Sequence, residues 1–372
     1  GEASGDVLGA GLIRAIRERY PDATFEGVAG DAMVAAGCEQ WEPVESLAVM
    51  GFIEPLRHLP RLLRLRRDLV RRWTESPPDV FIGIDAPDFN FGLEKKLRRR
   101  GVKTAHYVSP TIWAWRAGRV KTVKKAADTV LCIFPFEPAI YAEHGVDAVF
   151  VGHPKAGEAP DTVDVQAARK DLGITATEVV AVMPGSRSGE VDRLGGIFAA
   201  TMRRILEVRP GVHFVIPTVR QDLRNRITEQ LAAARVDPQH VTLLDGGGQQ
   251  AMSAADVVLQ ASGTAVLETA LLRKPSVAAY RVSLVTYFLI KTLFRINLTH
   301  YTMPNLLTEE PLIPEFMQKD AQPAPIADAV IALLDDEARR HLISDRFARL
   351  RKELALDSDQ RAADAVIRLA QS

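Results

Sequence analysis

Two carboxylates follow an apolar run in the segment Gly83–Asn90, which reads G-I-D-A-P-D-F-N. A carboxylate at a strand end can act as a general base, and a pair of carboxylates can hold a metal ion. Asp85 and Asp88 lack the Asp-x-Asp spacing of metal–diphosphate sites, and no histidine lies beside them, so we expect no metal here. Pro87 and the helical run after it predict a helix that begins near Phe89 and is capped by Asp88, which leaves Asp85 alone as the candidate base.

Gly185, Ser186 and Arg187 form a turn between an apolar run at 179–183 and a helical segment that begins near Arg193. Gly185 permits close approach of a ligand to the backbone, and the N–H groups at a helix start favour phosphate. Arg187 can make paired hydrogen bonds to phosphate oxygens. The alternative is an ordinary strand-to-helix turn with a surface arginine.

A second turn of small residues, Ser262, Gly263 and Thr264, follows the apolar run at 257–259 in the same way. Its hydroxyl and N–H groups suit a second phosphate, and Glu268, about one helical turn later, can reach the two hydroxyls of a ribose. Alternatively, Ser262 or Thr264 caps the helix and Glu268 is solvated. Two such turns favour a nucleotide diphosphate, although neither matches the G-x-G-x-x-G or the P-loop pattern.

The first six residues, G-E-A-S-G-D, precede an amphipathic run and look like the loop between a strand and a helix. We therefore expect a strand, and the few residues that contain it, to lie before Gly1. Glu2, Ser4 and Asp6 would then face the ligand. For Asp6, an N-cap of the following helix is at least as good an interpretation.

The segment Leu56–Trp73 carries seven arginines and one aspartate in a chain whose formal net charge is +0. Its apolar residues recur at helical spacing, and a basic amphipathic helix of this kind can lie on an anionic membrane surface. The alternative is a solvated arginine face over an ordinary core stripe. The predicted membrane contacts are Phe52, Ile53, Leu59, Leu62, Arg64 and Arg67.

Composition limits the class of protein. The 372 residues are 47% hydrophobic and 25% charged, and the balanced charge gives no overall attraction to nucleic acid. The two cysteines, Cys38 and Cys132, form no C-x-x-C motif and suit a reducing compartment. The most apolar window, 282–296, is interrupted by two basic residues, so we expect a buried helix at 284–296 and no membrane span.

Short β-branched runs alternate with amphipathic segments, a pattern typical of βαβ units and parallel sheets. The chain length predicts two α/β domains, 1–155 and 156–340, and C-terminal helices at 341–372 that return to the first domain. Ligands of such sheets bind beyond the carboxyl ends of the strands, so we expect the site in the cleft between the domains. The predicted strands are Thr24–Val28, Val80–Ile84, Thr104–Val108, Thr129–Ile133, Val149–Val151, Val179–Met183, His213–Ile216, Val241–Leu243, Val257–Leu259 and Ser276–Ala279.

Several motifs occur together and in order along nearly the whole chain. They are G-E-A-S-G-D at 1–6, A-V-M-G at 48–51, D-V-F-I-G-I-D-A-P-D-F-N at 79–90, H-Y-V-S-P-T-I-W-A-W-R at 106–116, P-G-S-R at 184–187, L-L-D-G at 243–246, A-S-G-T-A at 261–265 and P-N-L-L at 304–307. In this combination the chain closely resembles the lipid-A-disaccharide synthase family. The resemblance implies an inverting glycosyltransferase of the GT-B fold, with two Rossmann-like domains.

The resemblance also implies the reaction and the residues that serve it. UDP-2,3-diacylglucosamine donates its sugar to 2,3-diacylglucosamine 1-phosphate, which yields the β-1,6-linked disaccharide 1-phosphate and UDP, with no cofactor and no metal expected. Asp85 and Glu2 are both candidates for the general base. The implied substrate-binding residues are Ser4, Gly5, Asp6, Asn90, Gly185, Ser186, Arg187, Ser262, Gly263, Thr264, Glu268 and Asn305.

Both implied substrates carry acyl chains, so the resemblance favours the membrane interpretation of Leu56–Trp73. It implies a cytoplasmic enzyme, peripheral on the inner face of the inner membrane of a Gram-negative-type bacterium, and leaves a homodimer open. The main alternative is a UDP-sugar 2-epimerase of the same fold, which needs no acyl chains. A third interpretation is a non-catalytic lipid-binding protein, for which the paired phosphate turns would have no purpose.

Overall fold

The computed structural model describes residues 3–47, 54–110, 117–282 and 300–372. The chain forms two compact units, Gly1–Gly157 with Glu353–Ser372 and Glu158–Lys352. The predicted apolar helix at 284–296 lies outside the described residues. Among helices in the described ranges, none combines the length and the apolar character needed to cross a bilayer.

Parallel strands form the centre of the first unit. They are β1 (Phe25–Ala29), β2 (Cys38–Pro43), β3 (Val80–Ile84), β4 (Lys103–Tyr107), β5 (Thr129–Cys132) and β6 (Asp147–Phe150). β3, β4, β5 and β6 lie side by side in chain order, and β1 pairs with β2 as a separate two-stranded sheet. The β-branched and aromatic runs thus become strands as predicted, because such side chains pack well on a pleated surface.

Helices cover both sheets of this unit. They are α1 (Ala3–Arg19), α2 (Asp31–Ala35), α3 (Glu54–Glu75), α4 (Pro87–Arg98), α5 (Val120–Ala126) and α6 (Glu137–Ala142). The last turns of α3 bury Leu69, Val70 and Trp73 against Phe81 of β3 and Leu93 of α4. Side chains of β1, β3, α1, α3 and α4 line a mainly apolar cavity of about 190 Å³.

The second unit contains one parallel sheet of six strands. They are β7 (Glu178–Met183), β8 (Val212–Thr218), β9 (Val241–Asp245), β10 (Val257–Ala261), β11 (Ser276–Tyr280) and β12 (Glu315–Met317). The spatial order is β12-β11-β10-β7-β8-β9. The chain therefore builds the sheet outward from β7 in one direction, through β8 and β9, and then returns to place β10 on the other side of β7. The boundary between β7 and β10 is the topological switch point of the sheet.

The helices of the second part of the chain follow the same alternation. They are α7 (Pro154–Glu158), α8 (Val165–Asp171), α9 (Ser188–Val208), α10 (Gln221–Ala233), α11 (Gly248–Ala254), α12 (Thr264–Leu271), α13 (Met303–Leu307), α14 (Pro323–Asp335) and α15 (Glu337–Leu354). Short 3-10 helices occur at Val44–Leu47, Ala117–Arg119, Pro238–His240 and Gln318–Asp320.

The last helix, α16 (Ser358–Ala370), belongs to the first unit. Ala362 and Val366 share a buried cluster with Leu8 and Leu12 of α1 and with Tyr107 of β4. Burial of these side chains away from water is what holds the C-terminal segment on the first-unit sheet.

Candidate active site

The turn after β3 has an unusual backbone. Asp85 and Ala86 have φ angles of +48° and +41°, both in the left-handed region, which costs a residue with a side chain about 1–2 kcal/mol. The N–H of Asp85 donates to the carbonyl oxygen of Tyr107 at 2.8 Å, so Asp85 continues the β3–β4 ladder by one more hydrogen bond. Such strain persists only where the surroundings impose it, and it is concentrated at functional sites. The candidate base thus lies in a half-buried, tightly constrained turn.

Asn90 holds this turn from α4. Its side-chain Nδ2 donates to the carbonyl oxygens of Ile84, at 3.2 Å, and Asp85, at 2.8 Å. Asn90 is 7% exposed, which leaves little of it for a substrate to contact. The predicted role of Asp88 as helix cap is wrong, because α4 begins at Pro87 after Ala86, and Asp88 instead lies in the first turn, where its exposed carboxylate pairs with Arg119.

The neighbouring strand, β4, also ends in a strained turn. Val108 has a φ of +74°, a rare value for a β-branched residue. Its N–H donates to the carbonyl oxygen of Leu131 at 3.1 Å, and the next residue, Ser109, shares a buried hydrogen bond of 2.9 Å with the hydroxyl of Tyr141. Burial raises the pKa of Tyr141, which keeps that hydroxyl protonated. Two adjacent strands of the first unit therefore end in strained, internally braced turns.

The start of α1 lies at this same edge. A side chain at Gly5 would place its Cβ 3.6 Å from Cγ2 of Ile84, the residue before Asp85. Ser4 is exposed beside it. The N-terminal end of α1 is therefore near the candidate base. Glu2, the other candidate base, lies outside the described residues.

Asp6 has a structural role that the sequence did not reveal. It is 8% exposed, and its carboxylate accepts hydrogen bonds from the N–H groups of Gly30 at 2.9 Å, Ala32 at 2.9 Å and Met33 at 3.1 Å. Asp6 thus caps α2, a different helix from its own, and the predicted contact with substrate has no support in this geometry. The partners lie at least 24 positions away along the chain, which is why local spacing did not show them.

In the second unit, two loops come together at the switch point. The loop containing Gly185, Ser186 and Arg187 follows β7 and opens α9, and the loop at 262–264 follows β10 and opens α12. β7 and β10 are neighbours, with Met183 opposite Gln260 near their carboxyl ends. Two helix N-termini therefore lie at adjacent strand ends, where both dipoles favour a bound anion.

The β7 loop already contains one anionic group. Gly185 has a φ of +115°, and a Cβ there would lie 2.6 Å from the Cβ of Glu190, so the position requires glycine. The carboxylate of Glu190 accepts from the N–H groups of Ser186 at 3.1 Å and Arg187 at 3.3 Å. These two N–H groups, expected to be available to phosphate, are thus paired within the loop. The side chain of Arg187 is 82% exposed, and its Nη1 pairs with Oε1 of Glu190 at 3.4 Å.

The β10 loop is open in comparison. Gly263 and Thr264 are exposed, and no side chain caps α12 in this described segment, so the interpretation of Ser262 or Thr264 as a cap is wrong. Glu268 lies one turn further and is half-buried. Sequence reasoning missed Gln260, a fully buried residue whose Oε1 accepts from the Thr269 hydroxyl at 2.9 Å and so fixes α12 to β10.

The family model for lipid-A-disaccharide synthetase matches residues 1–367 of the chain. The chain belongs to this family. The lipid-A-disaccharide synthase of Xanthomonas campestris pv. campestris (strain 8004) is 48% identical over 370 residues, which are 99% of this chain and 84% of the relative. That of Alkalilimnicola ehrlichii is 48% identical over 370 residues, which are 99% of this chain and 96% of the relative.

Solved structures resemble the chain at much lower identity. The UDP-GlcNAc 2-epimerase from Neisseria meningitidis bound to UDP-GlcNAc has a TM-score of 0.59 at 11% identity, over 98% of this chain and 96% of its own. Acinetobacter baumannii MurG has a TM-score of 0.59 at 12% identity, over the same shares. These similarities confirm the predicted α/β GT-B fold, and family membership makes the protein a glycosyltransferase of lipid A biosynthesis.

Asn305, in the P-N-L-L motif of the synthase family, is 3% exposed and fully hydrogen-bonded inside the second unit. Its Nδ2 donates to the carbonyl oxygen of Ile313 at 2.8 Å and to Glu315 at 2.9 Å. Its Oδ1 accepts from the N–H groups of Leu312 at 2.8 Å and Ile313 at 2.9 Å. An amide offers two donors and two acceptor positions, so this geometry leaves none for the predicted substrate contact.

The arginine-rich helix of this synthase, α3, has two distinct faces where its side chains are described. Leu69 and Trp73 are in the core, whereas Arg64 and Arg67 are exposed and Leu62 is half-buried. Of the remaining predicted membrane contacts, Phe52 and Ile53 lie outside the described residues, as does the side chain of Leu59. The core stripe is thus present at Leu69 and Trp73, and the membrane contact stays a prediction.

Proposed function

We propose that the protein transfers 2,3-diacylglucosamine from UDP to the 6-hydroxyl of 2,3-diacylglucosamine 1-phosphate, with inversion at the anomeric carbon. The products are the β-1,6-linked disaccharide 1-phosphate and UDP. The observation that carries this proposal is the family match over residues 1–367. The loops after β3 and β4 in the first unit support its role in activating the acceptor. The loops after β7 and β10 in the second unit support its role in binding the donor.

The first unit would activate the acceptor. Asp85 takes the proton of the 6-hydroxyl while that oxygen forms its bond to the anomeric carbon and the bond from this carbon to the diphosphate breaks. The constrained turn favours this role because a base fixed in one orientation loses little entropy when it meets the hydroxyl. Glu2 stays the alternative base.

The second unit would bind the donor and stabilise the leaving UDP. The negative charge that develops on the diphosphate suits the open N-terminus of α12 and the exposed guanidinium of Arg187. Ser262 and Thr264 would add hydroxyl donors, and Glu268, one turn further, would accept from the ribose hydroxyls. Groups fixed before the reaction need no reorganisation when the charge appears.

Contact with an anionic membrane surface is part of this proposal, because both substrates carry acyl chains. Arg64, Arg67 and Arg71 are exposed along α3, with side chains 74% exposed at Arg67 and 68% exposed at Arg71. Leu63 is 46% exposed on the same helix. Basic side chains beside exposed apolar ones suit the headgroup region of anionic lipids on the cytoplasmic face of the inner membrane.

Release of UDP from the acylated donor, measured with and without the acylated acceptor, tests the transferase directly. We expect release to depend on the acceptor and the disaccharide to form in equal amount. A second arm replaces both substrates with UDP-N-acetylglucosamine alone. Its conversion to the 2-epimer without acceptor would refute the transferase in favour of an epimerase.

A further inference from the structure

A carboxylate and an imidazole form a fully buried pair one helical turn beyond Asn90. Oε1 of Glu94 and Nδ1 of His106 are 2.7 Å apart, and both side chains are 0% exposed. Neither can touch a substrate. An ionisable pair is costly to bury. A pair buried next to the turn of a candidate base is therefore expected to have a structural role there.

The pair fixes how closely α4 packs on the sheet. Gly83 of β3 lies opposite His106 of β4 in the strand register. A Cβ at Gly83 would lie 2.1 Å from Oε1 of Glu94 and 3.0 Å from Cβ of Asn90, so only glycine leaves room for both side chains. The ring of Phe91, on the same helix, packs 4.6 Å from the imidazole between centroids. These contacts determine the height of α4 above β3 and β4.

Asn90 transmits this position to the turn. Asn90 and Glu94 are four residues apart and therefore lie on one face of α4, toward β3. With the helix fixed by Glu94, the Asn90 amide is held where it donates to the carbonyl oxygen of Asp85 at 2.8 Å. That hydrogen bond opposes the relaxation of the left-handed turn at Asp85 and Ala86.

We propose that Asn90 is a positioning residue for Asp85, supported by the buried Glu94–His106 pair, and that it acts on the backbone of the base and not on a substrate. The inference rests on the proposed role of Asp85 as base. A displacement of about 1 Å at a reacting group can cost about 10²-fold in rate. Asn90→Ala should therefore lower kcat by about 10- to 100-fold and leave KM within about twofold.

A double-mutant cycle tests this directly. If Asn90 acts only through Asp85, Asn90→Ala lowers kcat in the wild-type background and has no further effect in Asp85→Asn. Ala86→Gly should restore much of the kcat of Asn90→Ala, because glycine adopts the left-handed turn without the amide's support. Lys96→Ala, on the exposed side of α4, is the matched control and should be unchanged.

The outcomes separate the two proposals. Normal turnover by Asp85→Asn would refute the base itself. If Asp85→Asn loses about 10²-fold in turnover as expected, an Asn90→Ala variant that raises KM, or that multiplies this loss in the Asp85→Asn background, would overturn the positioning role in favour of substrate binding. Glu94→Gln keeps a hydrogen bond to His106 and should keep kcat, whereas Glu94→Leu should lower it. Thermal unfolding followed by tryptophan fluorescence, which reports on the first unit, shows whether each variant is folded.

Discussion

Replacement of Asn305 by alanine distinguishes a structural amide from a substrate contact. The side chain of Asn305 links α13 to the residues at and before β12, and all four of its hydrogen bonds lie inside this segment. Alanine removes the acceptor of the Leu312 and Ile313 N–H groups, both of which belong to residues that are buried. We therefore expect a loss of stability, with KM unchanged in the fraction of enzyme that stays folded.

The magnitude follows from those two N–H groups. Each buried donor left without an acceptor costs about 1–3 kcal/mol. Partial relaxation of the loop recovers some of this, so we expect the variant to lose about 3 kcal/mol of unfolding free energy. Because about 1.4 kcal/mol corresponds to a tenfold change in an equilibrium, the hydrogen-exchange protection of the 312 and 313 amides should fall by about 10²-fold.

The assay must report on the second unit. All four tryptophans, at 41, 73, 113 and 115, belong to the first unit, so intrinsic fluorescence does not follow the change. The change is followed instead by circular dichroism during urea unfolding and by mass-spectrometric hydrogen exchange over 302–317. The control is Asn225→Ala, at an exposed position of α10, with an expected change below about 0.5 kcal/mol. Wild-type stability together with a raised KM in Asn305→Ala would refute the structural role and restore the substrate contact.

Three further changes test the site, the membrane face and a buried histidine. Asp85→Asn should keep UDP binding and lose turnover by about 10²-fold or more, and near-normal turnover would move the base to Glu2. Burial lowers the pKa of His153 to about 4. The unfolded state therefore takes up a proton near pH 6.5, whereas the folded state does not. The free energy of unfolding should fall by about 3 kcal/mol from pH 7 to pH 4 as a result. His153→Gln should flatten that dependence in urea unfolding, and an unchanged slope would contradict it. Co-sedimentation with anionic vesicles should be lost when glutamate replaces Arg64, Arg67 and Arg71, and persistence would favour the solvated face.

Much of the fold is predictable because periodicity alone encodes it. The predicted strand Val80–Ile84 has the same bounds as β3. The two strands that the sequence did not reveal, Cys38–Pro43 and Glu315–Met317, lie at sheet edges and contain glutamates. An edge strand needs little apolar surface, so it lacks the β-branched run that identifies a central strand.

The strand ends that carry the candidate site were predictable, but the partners of its side chains were not. The structure has loops directly after β3, β7 and β10, as the sequence predicts, and their role in ligand binding stays a prediction. Asp6 and Asn305 were assigned to substrate because local spacing cannot show that the N–H groups of another helix or loop already use their oxygens. The prediction of Asp88 as a cap is wrong because the helix begins at Pro87, two residues before the expected start near Phe89.

The left-handed turn at Asp85 could not be predicted from the sequence. Such a turn is usually marked by glycine, yet this chain has Asp85 followed by Ala86, and Val108 at the neighbouring strand end. A glycine at 86 would adopt the left-handed conformation without this strain. Alanine in the left-handed region costs about 1–2 kcal/mol, which the Asn90 hydrogen bonds and the packing of α4 must offset. The chain thus accepts strain at Ala86, whose carbonyl oxygen accepts from the N–H groups of Phe89 and Asn90 at 3.0 Å each. The Ala86→Gly rescue measures how far this strain depends on the side chain of Asn90.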